Sequence, residues 1–109
     1  MIIMPILLVT AWYPYKRRME VGKKAIEAVK KFPPEESILK GLGTAVLRDK
    51  HGIKVITMSE VMQGKLQEAL DRTNQTINFY MEVDGFNFRI DIAATAMEAM
   101  QTVNMKLPE

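Results

Sequence analysis

The 109-residue sequence has no cysteine and a single histidine, His51. Without a thiol, the chain cannot form a disulfide, a thiolate metal site or a cysteine nucleophile. Carboxylates and one imidazole do not make a ligand set of the kind that transition metals prefer, and a haem protein usually needs a buried axial histidine. The composition therefore predicts no metal and no cofactor. The absence of cysteine also fits a cytoplasmic protein.

Long apolar segments and a strong charge imbalance are missing as well. The apolar segment between Pro5 and Pro14 is far shorter than the roughly 20 residues that span a membrane. Met-Ile-Ile-Met stands where a secretory signal would have its basic region. We therefore expect a soluble, unprocessed protein with no membrane partner. Fifteen basic and thirteen acidic side chains give a net charge of +2, which is too small to indicate nucleic-acid binding.

The segment between Pro5 and Pro14 is nevertheless the most informative part of the chain, because it is apolar on both alternating faces. In an extended chain one face carries Ile6, Leu8, Thr10 and Trp12, and the other carries Leu7, Val9, Ala11 and Tyr13. A strand with one wet face would alternate apolar and polar residues. This pattern instead predicts a central strand that is buried on both sides.

The next segment is predicted to be a helix from about Tyr15 to Phe32, ended by Pro33-Pro34. Its apolar stripe is assigned to Met19, Gly22, Ile26, Val29 and Phe32. Glycine in the middle of a helix lowers its propensity, and we interpret Gly22 as a point of close approach between the helix and the sheet. Lys16, Lys23 and Lys30 repeat every seven residues on the opposite side.

Two strands about a turn are predicted over Ile38 to Val61. The turn is Asp49-Lys50-His51-Gly52, whose composition suits a hairpin. Leu42, Thr44 and Val46 are expected to share one face of the first arm. Ile53, Val55, Thr57 and Ser59 are expected to share one face of the second arm, with Ile56 and Met58 behind them.

The remaining third of the chain predicts a helix, a strand and a short C-terminal helix. The second helix starts near Gln63-Gly64, with an apolar stripe of Leu66, Leu70, Thr73, Ile77 and Tyr80 or Met81. Phe86 to Ala93 alternates cleanly and predicts an edge strand with one buried face. Thr95 and Glu98 form a capping-box signature for a helix carrying Met97, Met100 and Val103, followed by a loose tail from Asn104 to Glu109.

This order predicts a single α+β domain over residues 1–109, with 95–109 as a C-terminal helical extension. Right-handed crossovers place both long helices on one face of a four-stranded antiparallel sheet with the first and third strands central. That is a ferredoxin-like βαββαβ fold. The second face of the apolar first strand would then lie in water. Packing two sheets together about a twofold axis would cover it, so we predict a homodimer.

Four segments of the chain resemble the dimeric α/β barrel superfamily, over roughly residues 5–95. They are Ile6-Leu-Leu-Val-Thr-Ala-Trp, Gly52-Ile-Lys-Val-Ile-Thr-Met-Ser-Glu, Gly64-Lys-Leu-Gln-Glu-Ala-Leu and Phe86-Asn-Phe-Arg-Ile-Asp-Ile. Members of this superfamily include cofactor-free monooxygenases, isomerases, haem enzymes and ligand domains of transcription regulators. The resemblance implies a pocket between sheet and helices, or between the two sheets of a dimer. It carries over no catalytic residue, and whether the protein is an enzyme stays open.

The candidate ligand-binding residues are Thr10, Trp12, Tyr13, Arg89 and Asp91. Aromatic side chains crowd the end of the first strand, where they could line a pocket, anchor a dimer or simply pack in the core. Arg89 and Asp91 could recognise a polar substituent of a ligand, or they could pair with each other at an interface or a solvated edge. His51 could act as a general base, but its place in a turn favours a solvated residue.

Three functions follow as hypotheses. The first is binding of a small, partly apolar molecule near Trp12, Tyr13 and Arg89. The second is a structural or regulatory protein-interaction module without a ligand, which docks through its methionine-rich C-terminal helix. The third and weakest is RNA binding through the helix-one lysines, which is disfavoured because the third strand has no aromatic residue for base stacking.

Overall fold

The computed structural model describes residues 4–103 and 105. The four strands are β1 Ile6–Tyr13, β2 Leu39–Asp49, β3 Gly52–Val61 and β4 Asn87–Ala93. The helices are α1 Arg18–Lys31, between β1 and β2, α2 Leu66–Tyr80, between β3 and β4, and α3 Ala96–Gln101, after β4. A 3-10 turn, Tyr15–Arg17, precedes α1. The antiparallel strands form one sheet in the order β2-β3-β1-β4. This is the ferredoxin-like fold, with α1 and α2 on one face of the sheet.

The first strand is central, as its two-sided apolar pattern predicts. On the helix-facing side Leu7 is 1% exposed, and Ala11 and Tyr13 are also buried. On the opposite side, which we call the open face, Ile6 and Thr10 are 5% and 4% exposed. Neighbouring strands on both flanks shield these side chains, because β1 pairs with β3 on one side and β4 on the other.

The helix-facing core consists of two clusters of buried residues. One contains Leu7, Val61 and Ala69, and the other contains Ala11, Tyr13, Val21, Val83 and Phe86. Val9 lies between Leu7 and Ala11 on the same side of β1, yet it is only half-buried. The two clusters are therefore separated at Val9 and do not form one continuous core.

The face that α1 turns to the sheet differs from the predicted stripe. Val21 and Ala28 are its buried residues, whereas Met19, Ile26 and Val29 are 70%, 64% and 64% exposed. Each residue advances about 100° around a helix, so the buried pair lies about 110° from the centre of the predicted stripe rather than along it. The predicted stripe is therefore wrong at Met19, Ile26 and Val29, whereas Phe32 is half-buried, and α1 packs through smaller side chains.

The interpretation of Gly22 as a point of close approach is also wrong. A Cβ atom built on Gly22 would have no heavy atom within 4 Å, apart from its chain neighbours and its own helix. The residue is exposed, and the space beside it is open. No packing requirement is therefore visible for glycine at this position.

The β2–β3 hairpin is confirmed, with a register irregularity in its first arm. Asp49 pairs with Gly52, and the main-chain N–H of His51 donates to Asp49 Oδ1 at 2.8 Å. A bulge between Gly41 and Gly43 leaves Leu42 outside the pairing register. The alternation that grouped Leu42 with Thr44 and Val46 therefore stops at the bulge. Every residue of β2 after Leu39 is exposed.

The C-terminal third contains the predicted elements, but Ile92, on the predicted buried face of β4, is 54% exposed. The second helix packs through the predicted stripe, to which the structure adds Ala69, which is fully buried. The fourth strand lies at the sheet edge. Thr95 caps α3, because the N–H of Glu98 donates to Thr95 Oγ1 at 3.1 Å and the Thr95 hydroxyl donates to the Glu98 carboxylate at 3.1 Å. The predicted tail from Asn104 to Glu109 lies outside the described residues, except for Met105.

Candidate functional site

A cavity of about 510 Å³ lies between the helix-facing side of the sheet and the helices α1 and α2. Its volume falls within the range of roughly 300–1,000 Å³ that is typical of small-molecule sites. Its lining is contributed by three strands, both helices and the residue before β4. The lining residues are Val9, Ala11, Tyr13, Arg18, Val21, Gly22, Ala25, Leu39, Thr44, Val46, Val55, Thr57, Ser59, Arg72, Thr73, Thr76, Ile77, Tyr80 and Phe86.

The cavity exists because α1 presents small residues to the sheet. Gly22 and Ala25 line the cavity, and no large side chain of α1 fills the space above Val9. The helices also leave β2 uncovered, since Val46 lines the cavity and is still 64% exposed. The cavity is therefore closed by β1 and the helices, and it is accessible from the β2 side.

Three stacked aromatic rings line part of the cavity. The rings of Tyr13 and Phe86 are 6.3 Å apart between centroids and nearly parallel, at 7°. The rings of Tyr80 and Phe86 are 5.3 Å apart, at 16°. Phe86 thus neighbours both tyrosines, with its ring nearly parallel to each. We call these three residues the aromatic wall, which offers flat apolar surface to a bound molecule.

Both tyrosines of the aromatic wall are harder to ionise than tyrosine in water. Burial raises the pKa of Tyr13 above its ordinary value, because the phenolate would lose hydration. Burial also raises the pKa of Tyr80, and the neighbouring Tyr13 adds to this increase through charge repulsion. Both side chains are therefore neutral hydroxyls near pH 7.

Hydroxyl groups are distributed along the rest of the lining. Thr73 is buried, with 8% exposure, and the hydroxyl of Thr76 donates to the carbonyl oxygen of Arg72 at 2.9 Å. The Oγ1 atoms of Thr44 and Thr57 lie 3.5 Å apart across the β2–β3 pair. A few hydroxyls on an apolar lining can orient a ligand that is polar at one position.

The charged residues of the lining are Arg18 and Arg72. Arg18 Nη1 donates to the carbonyl oxygen of Tyr15 at 3.1 Å, and its guanidinium carbon lies 4.1 Å from the centroid of the Tyr15 ring. Arg72 Nη2 donates to the carbonyl oxygen of Pro33. Main-chain carbonyls therefore hold both guanidinium groups in place.

The structure divides the predicted ligand-binding residues between the two faces of the sheet. Tyr13 belongs to the aromatic wall and lines the cavity. Thr10 and Trp12 are on the open face, where Arg89 is the partner of Thr10 in the β1–β4 register. Arg89 Nε donates to Asp91 Oδ2 at 2.8 Å on this same face. The cavity thus contains one of the predicted residues, and the open face brings the other four together.

The open face presents several apolar side chains. Met58 and Leu47 are each 42% exposed, and Leu8 and Ile56 are half-buried beside them. Trp12 is also half-buried, with Lys54 Nζ at 5.9 Å from its ring centroid. The predicted placement of Ile56 and Met58 on the face of β3 opposite Val55 is confirmed, because they pair with Thr10 and Leu8 in the β1–β3 register.

The sequence contained signals for only part of the cavity. Thr73, Ile77 and Tyr80 belong to the predicted stripe of α2, so their inward direction could be read from periodicity. Arg72 and Thr76 lie next to that stripe and gave no separate signal. The small residues Gly22 and Ala25, three positions apart on one helix face, were a signal for open space beside α1, although Gly22 was interpreted as a point of close approach.

The other candidate sites considered from the sequence, a general base at His51 and a metal site, have no supporting arrangement of neighbouring side chains among the described residues. His51 is an exposed turn residue. Within residues 4–103 and 105, no group of three or more histidine, aspartate or glutamate side chains could hold a metal ion. Among the described helices, none is both long and apolar enough to cross a membrane.

Comparisons with known proteins give one structural similarity to report. No family model matches the chain, and no curated protein matches it. The solution structure of the C-terminal domain of the MgtC protein from Mycobacterium tuberculosis is similar, with a TM-score of 0.44 and 11% identity, covering 86% of this chain and 94% of that one. A similarity at this level carries no functional conclusion. The ferredoxin-like assignment rests on the strand order and the placement of the helices.

Proposed function

We propose that the protein binds a small, partly apolar molecule in the cavity between the sheet and the helices. The observation that carries this proposal is a cavity of about 510 Å³ with a mostly apolar lining and the aromatic wall. An apolar molecule placed there would bury surface against Val21, Ile77 and the aromatic wall, which is favourable by roughly 25 cal/mol for each Å² removed from water. The proposal concerns binding and assigns no catalytic step.

Filling the cavity from α1 tests this function. Nile red, an uncharged apolar dye, should bind the protein saturably. In the variant Gly22→Leu the new side chain would extend into the cavity, and we expect dye affinity to fall by about tenfold or more, because the space is no longer free. The matched control is Val29→Leu, which enlarges a side chain that is 64% exposed on the same helix. Circular dichroism verifies that both variants fold.

Two outcomes would contradict the binding proposal. One is a wild-type protein that binds no apolar probe or library compound saturably. The other is a folded Gly22→Leu variant that binds Nile red as tightly as Val29→Leu does, because the dye would then occupy some other surface.

We further propose that two copies pair through their open faces, which is the arrangement of a dimeric α/β barrel. The exposed side chains Met58 and Leu47 and the half-buried Leu8, Trp12 and Ile56 support this proposal. Their burial against a second copy would remove apolar surface from water at a site where a twofold axis makes the contact self-complementary. The charged pair Arg89 and Asp91 would lie at the β4 side of the contact.

The oligomeric state of matched methionine variants tests the dimer. Sedimentation at micromolar concentration should show a dimer for the wild type and a monomer for Met58→Glu, which places a charge in the proposed contact. Met19→Glu is the control, because Met19 is 70% exposed on α1, and it should remain dimeric. A monomeric wild type, or a dimer that Met58→Glu does not weaken, would overturn this arrangement.

A further inference from the structure

We propose that the ligand of the cavity is an amphipathic anion: an apolar molecule with one carboxylate, which pairs with Arg72. This inference rests on the proposed binding function and names the chemical class of the ligand. It draws on three observations, which are the charge of the lining, the partners of its arginines, and the distribution of polar and apolar groups along the cavity.

The charge of the lining is positive. Arg18 and Arg72 are its charged residues, and no aspartate or glutamate is among the described residues that line the cavity. The remaining ionisable groups are Tyr13 and Tyr80, whose raised pKa values keep them neutral near pH 7. An anion would therefore gain Coulomb energy in this cavity, whereas a cation would be repelled.

The two lining arginines differ in their partners from Arg17 and Arg89, two of the three arginines outside the cavity lining; the third, Arg48, stacks on the Tyr15 ring and has no ion pair among the described residues. Arg17 pairs with Glu20 and Asp84, and Arg89 pairs with Asp91. Within the part of the chain that the structure describes, Arg18 and Arg72 form no ion pair, and each donates to a main-chain carbonyl instead.

A guanidinium has several N–H donors in a planar fork, so one bond to a carbonyl leaves others for a carboxylate. The carbonyl bonds fix both groups without neutralising them. The proposed carboxylate would thus complete the hydrogen bonding of a guanidinium that the protein has already oriented.

The two arginines lie at different ends of the cavity. Arg18 is the first residue of α1, and Arg72 contacts Pro33, just beyond the last residue of that helix. The main chain of α1 places these two points about 20 Å apart. The small, uncharged residues Gly22 and Ala25 line the cavity between them. A molecule with one charged end and an apolar body matches this distribution.

Arg72 is the better of the two carboxylate sites. Its side chain is half-buried, whereas Arg18 is exposed, and an ion pair is screened less when it is partly withdrawn from water. Thr73 and Thr76, close to Arg72 in the sequence of α2, also line the cavity and add hydroxyl groups to its lining. The apolar body would then extend along α1 towards the aromatic wall.

Displacement of Nile red by three compounds with the same apolar chain tests the charge preference. The compounds are dodecanoate, dodecanol and dodecylammonium, at micromolar concentration and about pH 7. We expect dodecanoate to displace the dye at a concentration at least about tenfold lower than dodecanol, because a charge-assisted hydrogen bond adds to the apolar contact. Dodecylammonium should be the weakest. The advantage of dodecanoate over dodecanol should also decrease as salt is added.

Arginine variants then locate the carboxylate. The advantage of dodecanoate should disappear in Arg72→Met and persist in Arg48→Met, which removes the same charge from an exposed residue outside the cavity lining. Arg72→Lys retains the charge without the planar fork and should keep part of the advantage. If Arg72→Met does not fold, Arg72→Lys still tests the role of the planar fork. The salt dependence of the wild-type protein tests the role of charge and needs no variant.

The possible results separate this inference from the binding function beneath it. Equal displacement by dodecanoate and dodecanol, with saturable dye binding, would overturn the anion preference and leave the cavity as a binding site. Loss of the advantage in Arg18→Met instead of Arg72→Met would overturn the assigned position of the carboxylate. No saturable binding of the dye would overturn the proposed function itself.

Discussion

Trp12 and Tyr13 are consecutive residues of β1, and their side chains lie on opposite faces of the sheet. Tyr13 stacks against Phe86 in the wall of the cavity, whereas Trp12 lies on the open face with Lys54 near its ring. The two proposed surfaces, one for a ligand and one for a second copy, are thus separated by the thickness of a single sheet. The environment of Trp12 therefore reflects the state of the open face, and the environment of Tyr13 reflects the state of the cavity.

Fluorescence of Trp12, the single tryptophan of the chain, should therefore distinguish dimerisation from ligand binding. Dilution that dissociates the dimer should shift the emission maximum to longer wavelength, because the indole becomes more exposed to water. Saturation of the cavity with dodecanoate should leave the emission maximum nearly unchanged. Spectra recorded across a dilution series, and across a dodecanoate titration at fixed protein concentration, check both expectations. A large shift caused by dodecanoate would place its binding site on the open face.

Replacement of Gly22 by alanine should stabilise the protein by about 0.5–1 kcal/mol. The added methyl group meets no heavy atom within 4 Å outside its own helix and chain neighbours, and alanine restricts the unfolded chain. Unfolding in urea gives the free-energy difference. Destabilisation would mean that the space above Gly22 is smaller than the structure shows.

The same substitution at Gly52 should have the opposite sign. Gly52 has φ of 131°, and a Cβ atom there would lie 2.4 Å from the carbonyl oxygen of Tyr13, which is main chain and cannot move aside alone. We expect Gly52→Ala to destabilise by more than about 1 kcal/mol. Urea unfolding of Gly52→Ala beside Gly22→Ala provides a matched comparison, and equal stabilities would contradict the turn geometry.

Truncation of Leu7 should cost about 2–5 kcal/mol, because the residue is 1% exposed in a cluster with Val61 and Ala69. Leu42 is the comparison residue, since it is 49% exposed at the bulge of β2, and Leu42→Ala should change stability by less than about 1 kcal/mol. Thermal and urea unfolding of Leu7→Ala and Leu42→Ala measure both values. Similar costs would show that the two helix-facing clusters do not dominate the stability.

Alkaline pH should destabilise the protein through the aromatic wall. The pKa values of Tyr13 and Tyr80 are raised above their ordinary value in the folded state, so the unfolded chain releases these protons first. Their stabilising contribution is complete below about pH 10, the ordinary tyrosine value, and decreases as the pH rises through the folded-state values.

Replacing Tyr80 by phenylalanine should make stability depend less on pH above about 10. Tyr80 is the informative choice because burial and the neighbouring Tyr13 both raise its pKa. Urea midpoints of the wild type and Tyr80→Phe between pH 8 and 11 measure the difference. Identical pH profiles would contradict the raised pKa.

The strands could be predicted because their signals are local. Alternation over Phe86 to Ala93 identifies a half-buried edge strand without knowledge of its neighbours, and β4 occupies that edge. The two-sided apolar pattern of Leu7 and Ile6 likewise depends only on adjacent residues. Helix capping by Thr95 is local in the same sense. Each of these features follows from residues a few positions apart.

The orientation of α1 and the cavity could not be predicted in this way. A stripe drawn through Met19, Ile26 and Val29 assumes that the largest apolar residues face the sheet. In the structure α1 covers a cavity and packs through Val21 and Ala28, so small residues occupy its inner face. The space itself is enclosed by segments as distant in sequence as Val9 and Tyr80, and no local pattern encodes their separation.

The bulge between Gly41 and Gly43 also limits what can attach to the edge of the sheet. A long, regular edge strand offers its unpaired main chain to a strand of another molecule, which is how many proteins begin to aggregate. Here the irregular register interrupts that pattern within β2, and Lys40, directly before the bulge, adds an exposed charge. The strand that is most open to solvent therefore offers an added strand a shorter regular edge than its length suggests.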